Sequence, residues 1–318
     1  MQKQFCKSRV KRGKNGNSQP YVQLFFLLLL LPGILSFANS SSIKTTFPLH
    51  IKIPDKVPIG EPFTVEVTSR INLDAVQITW LGKTVPLPLR KTGQEYMGSL
   101  LLGTDVKKQE PGKKALAIRT LHSGTQSSKI VYIGIQSKHF PVQRLELPPS
   151  QVSISDSALK RHRREKKRIS KALDTYSRNR SWDCPFLSPV PGKITSIYGI
   201  KRFLNDKPRS PHRGLDFSAD YRRPIQATNK GKVILTGNHL FAGKSVYIHH
   251  GQGVVSMYFH LSEIKTKQGQ VVKKGQTIGL CGDTGRSTAS HLHFGLSVLG
   301  KSVNPEPLLG SRCLENID

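Results

Sequence analysis

Short runs of alternating apolar and polar residues, separated by glycine and proline, fill most of this 318-residue chain. Side chains of a β-strand point alternately to its two faces, so a period of two predicts strands that are buried on one side. Such runs recur between residues 47 and 136, for example at 63–67 and 76–80. Glycine and proline between the runs indicate turns. The pattern therefore predicts a mainly β protein.

We interpret residues 45–137 as a small antiparallel β-sandwich of about seven strands. We expect Trp80 in its core, because a buried Trp in such a domain packs against neighbours far more often than it binds a ligand. A break is expected at Phe140 and Pro141, where the alternation ends. Glycine-bounded strands resume later, and we expect a second, sheet-rich domain over residues 182–312.

A basic segment separates the two strand-rich regions. Residues 157–180 carry ten Lys or Arg and two acidic residues. Their sparse apolar positions fall near one face of a helix: Leu159, Ile169, Leu173 and Tyr176. We therefore predict a basic helical linker over residues 150–181. One interpretation is a solvated helical face, and the other is contact with an anionic wall or membrane polymer, which salt would weaken.

Residues 1–39 have the composition of a secretory signal peptide. A basic start is followed by an apolar run at 24–31 and by small residues at 36–40. The run is shorter than the roughly 20 residues that span a bilayer, so we expect cleavage, with retention as an inner-membrane anchor as the alternative. The predicted location is the periplasm or cell envelope.

The formal charge of +29 attracts polyanions, but its sign does not select one of them. Because the chain is predicted to be exported and carries no nucleic-acid motif, we expect no nucleic-acid partner. Cys184 and Cys313 flank the C-terminal domain and could close it with a disulfide. Cys281 lies in an apolar stretch and is expected to be a buried thiol.

Two pairs of metal-binding side chains occur in the C-terminal region. His212 and Asp216 are four residues apart, and His291 and His293 are two apart. In an extended strand, residues an even number apart share a face, so each pair can converge on one ion. Two His nitrogens and one carboxylate oxygen suit zinc and leave a fourth position for water, which is typical of a catalytic site.

Further imidazoles could serve the same site. The motif has no adjacent acidic general base, so His260 or His291 could take a proton from the water or hold an oxyanion. We interpret His249 and His250 as part of a loop, and we assign no function to either of them or to His239.

These residues, in this order, resemble the lysostaphin-type (LasA-like) zinc metallopeptidases of bacterial cell walls. The resemblance covers residues 192–308 and includes the segments 197–202, 258–261, 272–279 and 282–288. It implies an antiparallel sheet-rich domain in which His212, Asp216 and His293 hold zinc, one ion per chain. It also implies that His260 and His291 are catalytic.

The implied activity is hydrolysis of peptide crosslinks in peptidoglycan by a zinc metalloendopeptidase, with zinc-bound hydroxide attacking the amide carbonyl. The alternative is a non-catalytic peptidoglycan-binding regulator or activator of a wall hydrolase, because some relatives have lost their ligands. The complete ligand set favours the enzyme. A further possibility is that the sandwich or the linker occupies the site and holds the enzyme inactive.

Overall fold

The computed structural model describes residues 47–146 and 155–310. All of them fall within one compact unit. The N-terminal strands are β1 (His50–Lys52), β2 (Lys56–Pro58), β3 (Pro62–Ser69), β4 (Ala75–Trp80), β5 (Lys83–Pro86), β6 (Arg90–Thr92), β7 (Glu95–Gly103), β8 (Gly112–His122), β9 (Thr125–Gln136) and β10 (Val142–Leu145). Helix α1 (Asp156–Leu173) follows them.

The C-terminal part is again built from strands, with one short helix near its end. Its elements are β11 (Ile194–Ser196), β12 (Lys201–Leu204), β13 (Lys207–Pro208), β14 (Leu215–Ser218), β15 (Pro224–Gln226), β16 (Gly231–His239), β17 (Gly243–His249), β18 (Val254–Leu261), β19 (Glu263–Ile264), β20 (Val271–Val272), β21 (Thr277–Leu280), β22 (His291–Val298), β23 (Lys301–Val303) and α2 (Glu306–Leu309). The prediction of a mainly β protein is confirmed.

The first nine strands form two sheets, in the orders β1-β3-β7-β6 and β2-β9-β8-β4-β5. The expected antiparallel sandwich is present, with nine strands in residues 47–136 where about seven were expected, and β2 with β9 is its one parallel pair within these residues. Between β1 and β2 the chain passes from the first sheet to the second, where β2 pairs in parallel with β9.

Trp80 lies in the core between these two sheets, as the sequence predicted. Its side chain is 2% exposed and packs edge-on against Phe63, with ring centroids 5.4 Å apart. Its indole Nε1 donates a hydrogen bond of 2.9 Å to the Gly103 carbonyl oxygen, so no polar atom of the ring is left without a partner.

The break predicted at Phe140 and Pro141 does not end the strand structure. Strand β10 follows immediately and pairs in parallel with β12, and β12 pairs in turn with β13. The amide of Lys201 also donates to the Pro141 carbonyl oxygen at 2.9 Å. Proline cannot donate such a bond, but its carbonyl still accepts one, so pairing continues past it.

The C-terminal part is organised around one large sheet in the order β11-β14-β22-β18-β17-β16-β20, with β23 also paired to β22. Strands β15, β21 and β19 form a smaller sheet beside it. On β22, Leu292 and Phe294 are fully buried while His291 and His293 are partly exposed. This alternation places the two histidines together on one face.

Helix α1 is shorter than the predicted linker of 150–181. It begins after Ser155, whose hydroxyl oxygen accepts a hydrogen bond from the Ala158 amide at 3.3 Å and so caps the first turn. It ends at Leu173, after which the hydroxyl of Tyr176 donates to the Pro86 carbonyl oxygen of the sandwich. This contact joins the segment after the helix to the sandwich.

The sandwich and the C-terminal sheet make direct polar contacts. The hydroxyl of Tyr198 donates to the Ser302 carbonyl oxygen at 2.8 Å and accepts from the Val106 amide at 3.3 Å. Buried Glu61 of the sandwich accepts from the Asn304 side-chain amide at 3.0 Å and pairs with Lys138. Polar groups on both sides are therefore satisfied by the contact itself.

In the part of the chain that the structure describes, no helix has the length and apolar character to cross a membrane. The segment interpreted as a signal peptide or anchor, residues 1–39, lies outside the described residues.

Candidate metal centre and active site

Asp216 and His293 face each other across two neighbouring strands. Asp216 is the second residue of β14, and its direct partner on the antiparallel strand β22 is His293. Side chains of directly paired residues lie on the same face of a sheet. The Asp216 Oδ1 and His293 Nδ1 atoms are accordingly 2.8 Å apart.

His212 reaches the same point from outside the sheet. We had placed His212 and Asp216 on one extended strand, which was wrong, because β14 begins only at Leu215 and the chain bends before it. The His212 amide donates to the Ile200 carbonyl oxygen at 2.9 Å, which fixes the segment. A Cβ on Gly214 would lie 2.5 Å from the Phe294 oxygen, so only glycine permits this approach to β22.

Three candidate ligand atoms converge. His212 Nε2 is 3.0 Å from Asp216 Oδ1 and 3.0 Å from His293 Nδ1. These separations are close to the roughly 3.3 Å expected between tetrahedral ligands bonded to zinc at about 2.0–2.1 Å. The three residues together could hold a metal ion.

The protonation pattern of the cluster also suits a cation. His212 Nδ1 lies 2.8 Å from the Ile197 carbonyl oxygen, which can only accept, so Nδ1 donates a hydrogen bond to it. The other ring nitrogen, Nε2, faces Asp216 Oδ1 at 3.0 Å. A positive charge between these two atoms, from a proton or from a metal ion, stabilises the pair.

The electrostatics favour the ligand forms of these side chains. Burial raises the pKa of Asp216, but hydrogen bonds from His212 and His293 outweigh it and hold the pKa well below its usual range. Burial lowers the pKa of His293, although Asp216 opposes that shift. A charged carboxylate and a neutral imidazole are the states that bind a metal.

His260 and His291 stand beside this group. Their ring centroids are 4.8 Å apart, and His291 Nε2 is 3.9 Å from Asp216 Oδ1. His260 Nδ1 is 2.8 Å from the Thr284 carbonyl oxygen, and His291 Nδ1 is 2.9 Å from the Ala289 carbonyl oxygen. Each Nδ1 therefore donates a hydrogen bond to a carbonyl oxygen, which leaves each Nε2 free of that bond.

His260 has two further properties of a functional residue. It lies in the left-handed region with φ of 65°, a conformation that costs energy for a residue with a Cβ and recurs at active sites. Burial lowers its pKa to about 4, so the ring is neutral at physiological pH. A neutral imidazole with an unengaged nitrogen can accept a proton from water.

The remaining histidines do not join the site. The interpretation of His249 as a loop residue was wrong, because it ends strand β17, and His239 likewise ends β16. Both are buried, as is His250, whose Nδ1 and Nε2 atoms are 2.8 Å from the Lys230 oxygen and 2.7 Å from the Ser256 hydroxyl. These distances indicate a structural hydrogen-bond role for His250.

Sequence reasoning missed two side chains at the site. Phe259 stacks on the His293 ring with centroids 5.2 Å apart and an interplanar angle of 12°. Arg202 directs its guanidinium at the Asp216 carboxylate. Arg202 lies within a segment that carried the family resemblance, but nothing in the local pattern indicated which residue it would meet.

Helix α1 packs on the face of the sheet that carries the candidate site. Phe259 pairs with His293, and Met257 with Gly295, so these residues share that face. Met257 belongs to a buried cluster with Leu235, Tyr247 and Val255, against which Ile169, Ala172, Leu173 and Phe259 pack. The apolar side of the basic helix therefore packs against the same cluster as Phe259, whose ring stacks on His293.

The cysteines agree in part with expectation. Cys281 is a buried free thiol, as predicted. Cys184 is disulfide-bonded, and Cys313, its expected partner, lies outside the described residues.

Comparison with known proteins finds sequence relatives of the C-terminal region. A sequence model of Peptidase family M23 matches residues 210–305. The peptidoglycan DD-endopeptidase ShyA of Vibrio cholerae is 46% identical over 95 residues, which are 30% of this chain and 22% of ShyA. The DD-carboxypeptidase/endopeptidase Mpg of Neisseria gonorrhoeae is 39% identical over 94 residues, again 30% and 22% of the two chains.

The match to a solved structure is more extensive. A Pseudomonas aeruginosa protein, whose crystal structure is described as that of an M23 peptidase, is 27% identical with a TM-score of 0.59. The match covers 78% of this chain and 93% of that one. By contrast, the chain spans about a fifth of the length of the curated relatives it matches.

Residues 210–305, which match Peptidase family M23, contain all three candidate ligands: His212, Asp216 and His293.

Proposed function

We propose that this protein is a zinc metalloendopeptidase that hydrolyses peptide crosslinks of peptidoglycan. The observation that carries the proposal is the convergence of His212 Nε2, Asp216 Oδ1 and His293 Nδ1 within 3.0 Å of one another. Two further imidazoles with free Nε2 atoms stand beside them. The relatives named DD-endopeptidases share this region of the chain.

In the proposed mechanism, His212, Asp216 and His293 hold one zinc ion. When bound, the ion supplies a Lewis acid that polarises the scissile carbonyl and lowers the pKa of a water molecule. His260 and His291 present their Nε2 atoms, one to accept the proton of the attacking water and the other to donate to the developing oxyanion or the leaving amine once protonated. The Thr284 and Ala289 carbonyls hold the two rings in the required tautomer.

A non-catalytic regulator would not need this arrangement. Loss of one ligand side chain would remove the metal, yet here all three are present and mutually oriented. The tautomers of His260 and His291 would also have no purpose in a protein that only binds peptide. We therefore place the enzyme ahead of the regulator.

We also propose the cell envelope as the place of action. Two relatives are named peptidoglycan DD-endopeptidases, and residues 1–39 have the composition of an export signal. The exposed side of α1 is strongly basic and includes Lys160, Arg164 and Lys167. That side faces away from the sheet, which leaves it available to an anionic wall or membrane polymer.

The test is digestion of purified sacculi followed by mass spectrometry of the released muropeptides. We expect the protein to convert crosslinked muropeptides into uncrosslinked ones, with one water added per bond cleaved. A chelator should abolish the conversion, and added zinc should restore it. Sacculi whose crosslinks persist under zinc-replete conditions would exclude the proposed activity.

A further inference from the structure

We propose that Arg202 is a positioning residue that holds the Asp216 carboxylate so that only Oδ1 faces the metal. Arg202 Nη2 donates to Asp216 Oδ2 at 3.4 Å, while Oδ1 of the same carboxylate faces His212 and His293. The two oxygens thus have separate partners. The inference rests on the zinc site of the proposed function, but not on the identity of the bond that is cut.

The same guanidinium links Asp216 to a second candidate ligand. Arg202 Nη2 also lies 3.4 Å from the Ser196 hydroxyl oxygen, and that oxygen is 3.2 Å from His212 Nδ1. Arg202 therefore contacts Asp216 directly, at Oδ2. It reaches His212 through the Ser196 hydroxyl, which lies beside Nδ1. Residues that contact metal ligands in this way orient them and tune their affinity for the metal.

The backbone of Arg202 is fixed from both sides. On β12 it pairs with Gln143 of β10, the strand that follows the sandwich. Its carbonyl oxygen accepts from the Arg209 amide at 2.8 Å. The N-terminal region thus supports the candidate metal site through one paired strand.

The contacts of Arg202 with the candidate site are made by one end of its guanidinium. Its Nη2 atom faces both Asp216 Oδ2 and the Ser196 hydroxyl oxygen. Within residues 47–146 and 155–310 its buried Nε has no hydrogen-bond partner. The orientation of the guanidinium therefore favours Nη2 and the carboxylate that it faces.

The chemical consequence concerns the open coordination position. A carboxylate with both oxygens free can bind a metal through both, which would occupy the position that a catalytic zinc keeps for water. A guanidinium on Oδ2 opposes this because the oxygen would have to leave its charged partner. Arg202 therefore maintains three protein ligands and one free position.

The experiment compares Arg202→Met and Arg202→Lys with a matched control, Arg209→Met, in the full chain. Arg209 is an exposed arginine of the same segment whose side chain faces no candidate ligand. The zinc dissociation constant is measured by competition with a chromogenic chelator, together with the melting temperature of the metal-free protein. Values of kcat and KM are measured at saturating zinc.

We expect Arg202→Met to weaken zinc binding by about 10–100-fold and to lower kcat with little change in KM. The metal-free protein should melt at the temperature of the parent. Arg202→Lys should recover part of the zinc affinity, because a charge returns without the planar guanidinium. Arg209→Met should match the parent in every measurement.

Zinc affinity of Arg202→Met within twofold of the parent would overturn the proposal. A lower affinity accompanied by an equally large loss of metal-free stability would overturn it too, since that result indicates a structural role. If Arg202→Met does not fold, Arg202→Gln is measured in its place. A parent protein that binds zinc but leaves sacculi intact would refute the proposed function, while the zinc affinities would still decide the role of Arg202.

Discussion

At the scale of single residues, five side chains from three separate segments meet at one place, and their hydrogen bonds differ. His212 and His293 direct one ring nitrogen each at Asp216 Oδ1. His260 and His291 have their Nδ1 protons engaged by carbonyl oxygens and hold no contact shorter than 3.9 Å to that carboxylate. The geometry therefore separates the three candidate metal ligands from the two candidate proton-transfer groups.

This separation predicts different results for two alanine variants. His293→Ala should lose both zinc and activity, because it removes a ligand. His260→Ala should keep close to one zinc per chain and lose turnover by roughly 10²–10⁴-fold, the usual contribution of a general acid or base. Metal content by mass spectrometry and muropeptide turnover measure the two effects. Equal zinc loading of both variants would show that the roles are assigned wrongly.

His250 gives a prediction about pH and stability. Burial lowers its pKa to about 4, whereas the unfolded chain has a pKa near 6.5. Between pH 6.5 and pH 4, His250 is protonated in the unfolded chain but neutral in the folded protein. The free energy of unfolding therefore decreases as the pH falls from about 6.5 to 4. The contribution of one such histidine is about 3 kcal/mol.

Urea unfolding at pH 7 and at pH 4.5 tests this. His250→Gln should be less stable than the parent at pH 7, because the bonds to the Lys230 oxygen and the Ser256 hydroxyl are altered. It should nevertheless lose less stability between the two pH values. An identical pH dependence of parent and variant would contradict the buried neutral state of this ring.

At the scale of elements, α1 is notable for how shallowly it packs. No residue of the helix is buried, although Ile169 and Leu173 contact the apolar cluster on the site face of the sheet. Its polar anchors are also few, such as the Glu165 carboxylate that accepts from the Leu240 amide at 2.8 Å. A helix held in this way costs little to displace.

We therefore expect α1 to limit access to the site, and its detachment to increase activity. The double variant Ile169→Ala and Leu173→Ala removes apolar contacts next to Phe259 without touching the candidate ligands. Muropeptide digestion by this variant should be several-fold faster than by the parent. Lys167→Ala, on the exposed side of the helix, is the matched control and should have the rate of the parent. An equal or slower rate for the double variant would show that α1 does not restrict the site.

At the scale of the whole molecule, the sandwich and the C-terminal sheet fall within one compact unit. Glu61 carries part of this coupling, since it accepts from the Asn304 side-chain amide and pairs with Lys138. Because Glu61 is buried, its loss leaves the Asn304 amide without its partner. The penalty for an unsatisfied buried group exceeds the value of an exposed ion pair.

Glu61→Ala should accordingly lower the free energy of unfolding by about 2–3 kcal/mol. The control is Glu66→Ala, which removes an exposed pair with Lys52 at 3.8 Å and should change the free energy by less than about 1 kcal/mol. Chemical denaturation followed by tryptophan fluorescence measures both. Equal effects of the two substitutions would indicate that the contact between the sandwich and the sheet contributes little.

Much of the fold followed from local patterns. The alternation at 76–80 predicted strand β4 and a buried Trp80, and the spacing of His291 and His293 predicted that they share a face. The errors arose where contacts between distant parts of the chain, and not the local sequence, determine the backbone structure. Strand β10 forms after a proline because β12 is available to pair with it, and His212 approaches Asp216 through a bend that glycine permits, not along a strand.

By itself, the sequence determined which chemical groups are available and how they alternate along each strand, because side-chain type and the period of two are local properties. Only the tertiary structure decided which atoms meet. His212 and His293 are 81 residues apart in the chain, and they become neighbours only because β14 pairs with β22 in one register. The same is true of Arg202 and Asp216, since strand pairing and backbone bends arise from long-range contacts that no local pattern encodes.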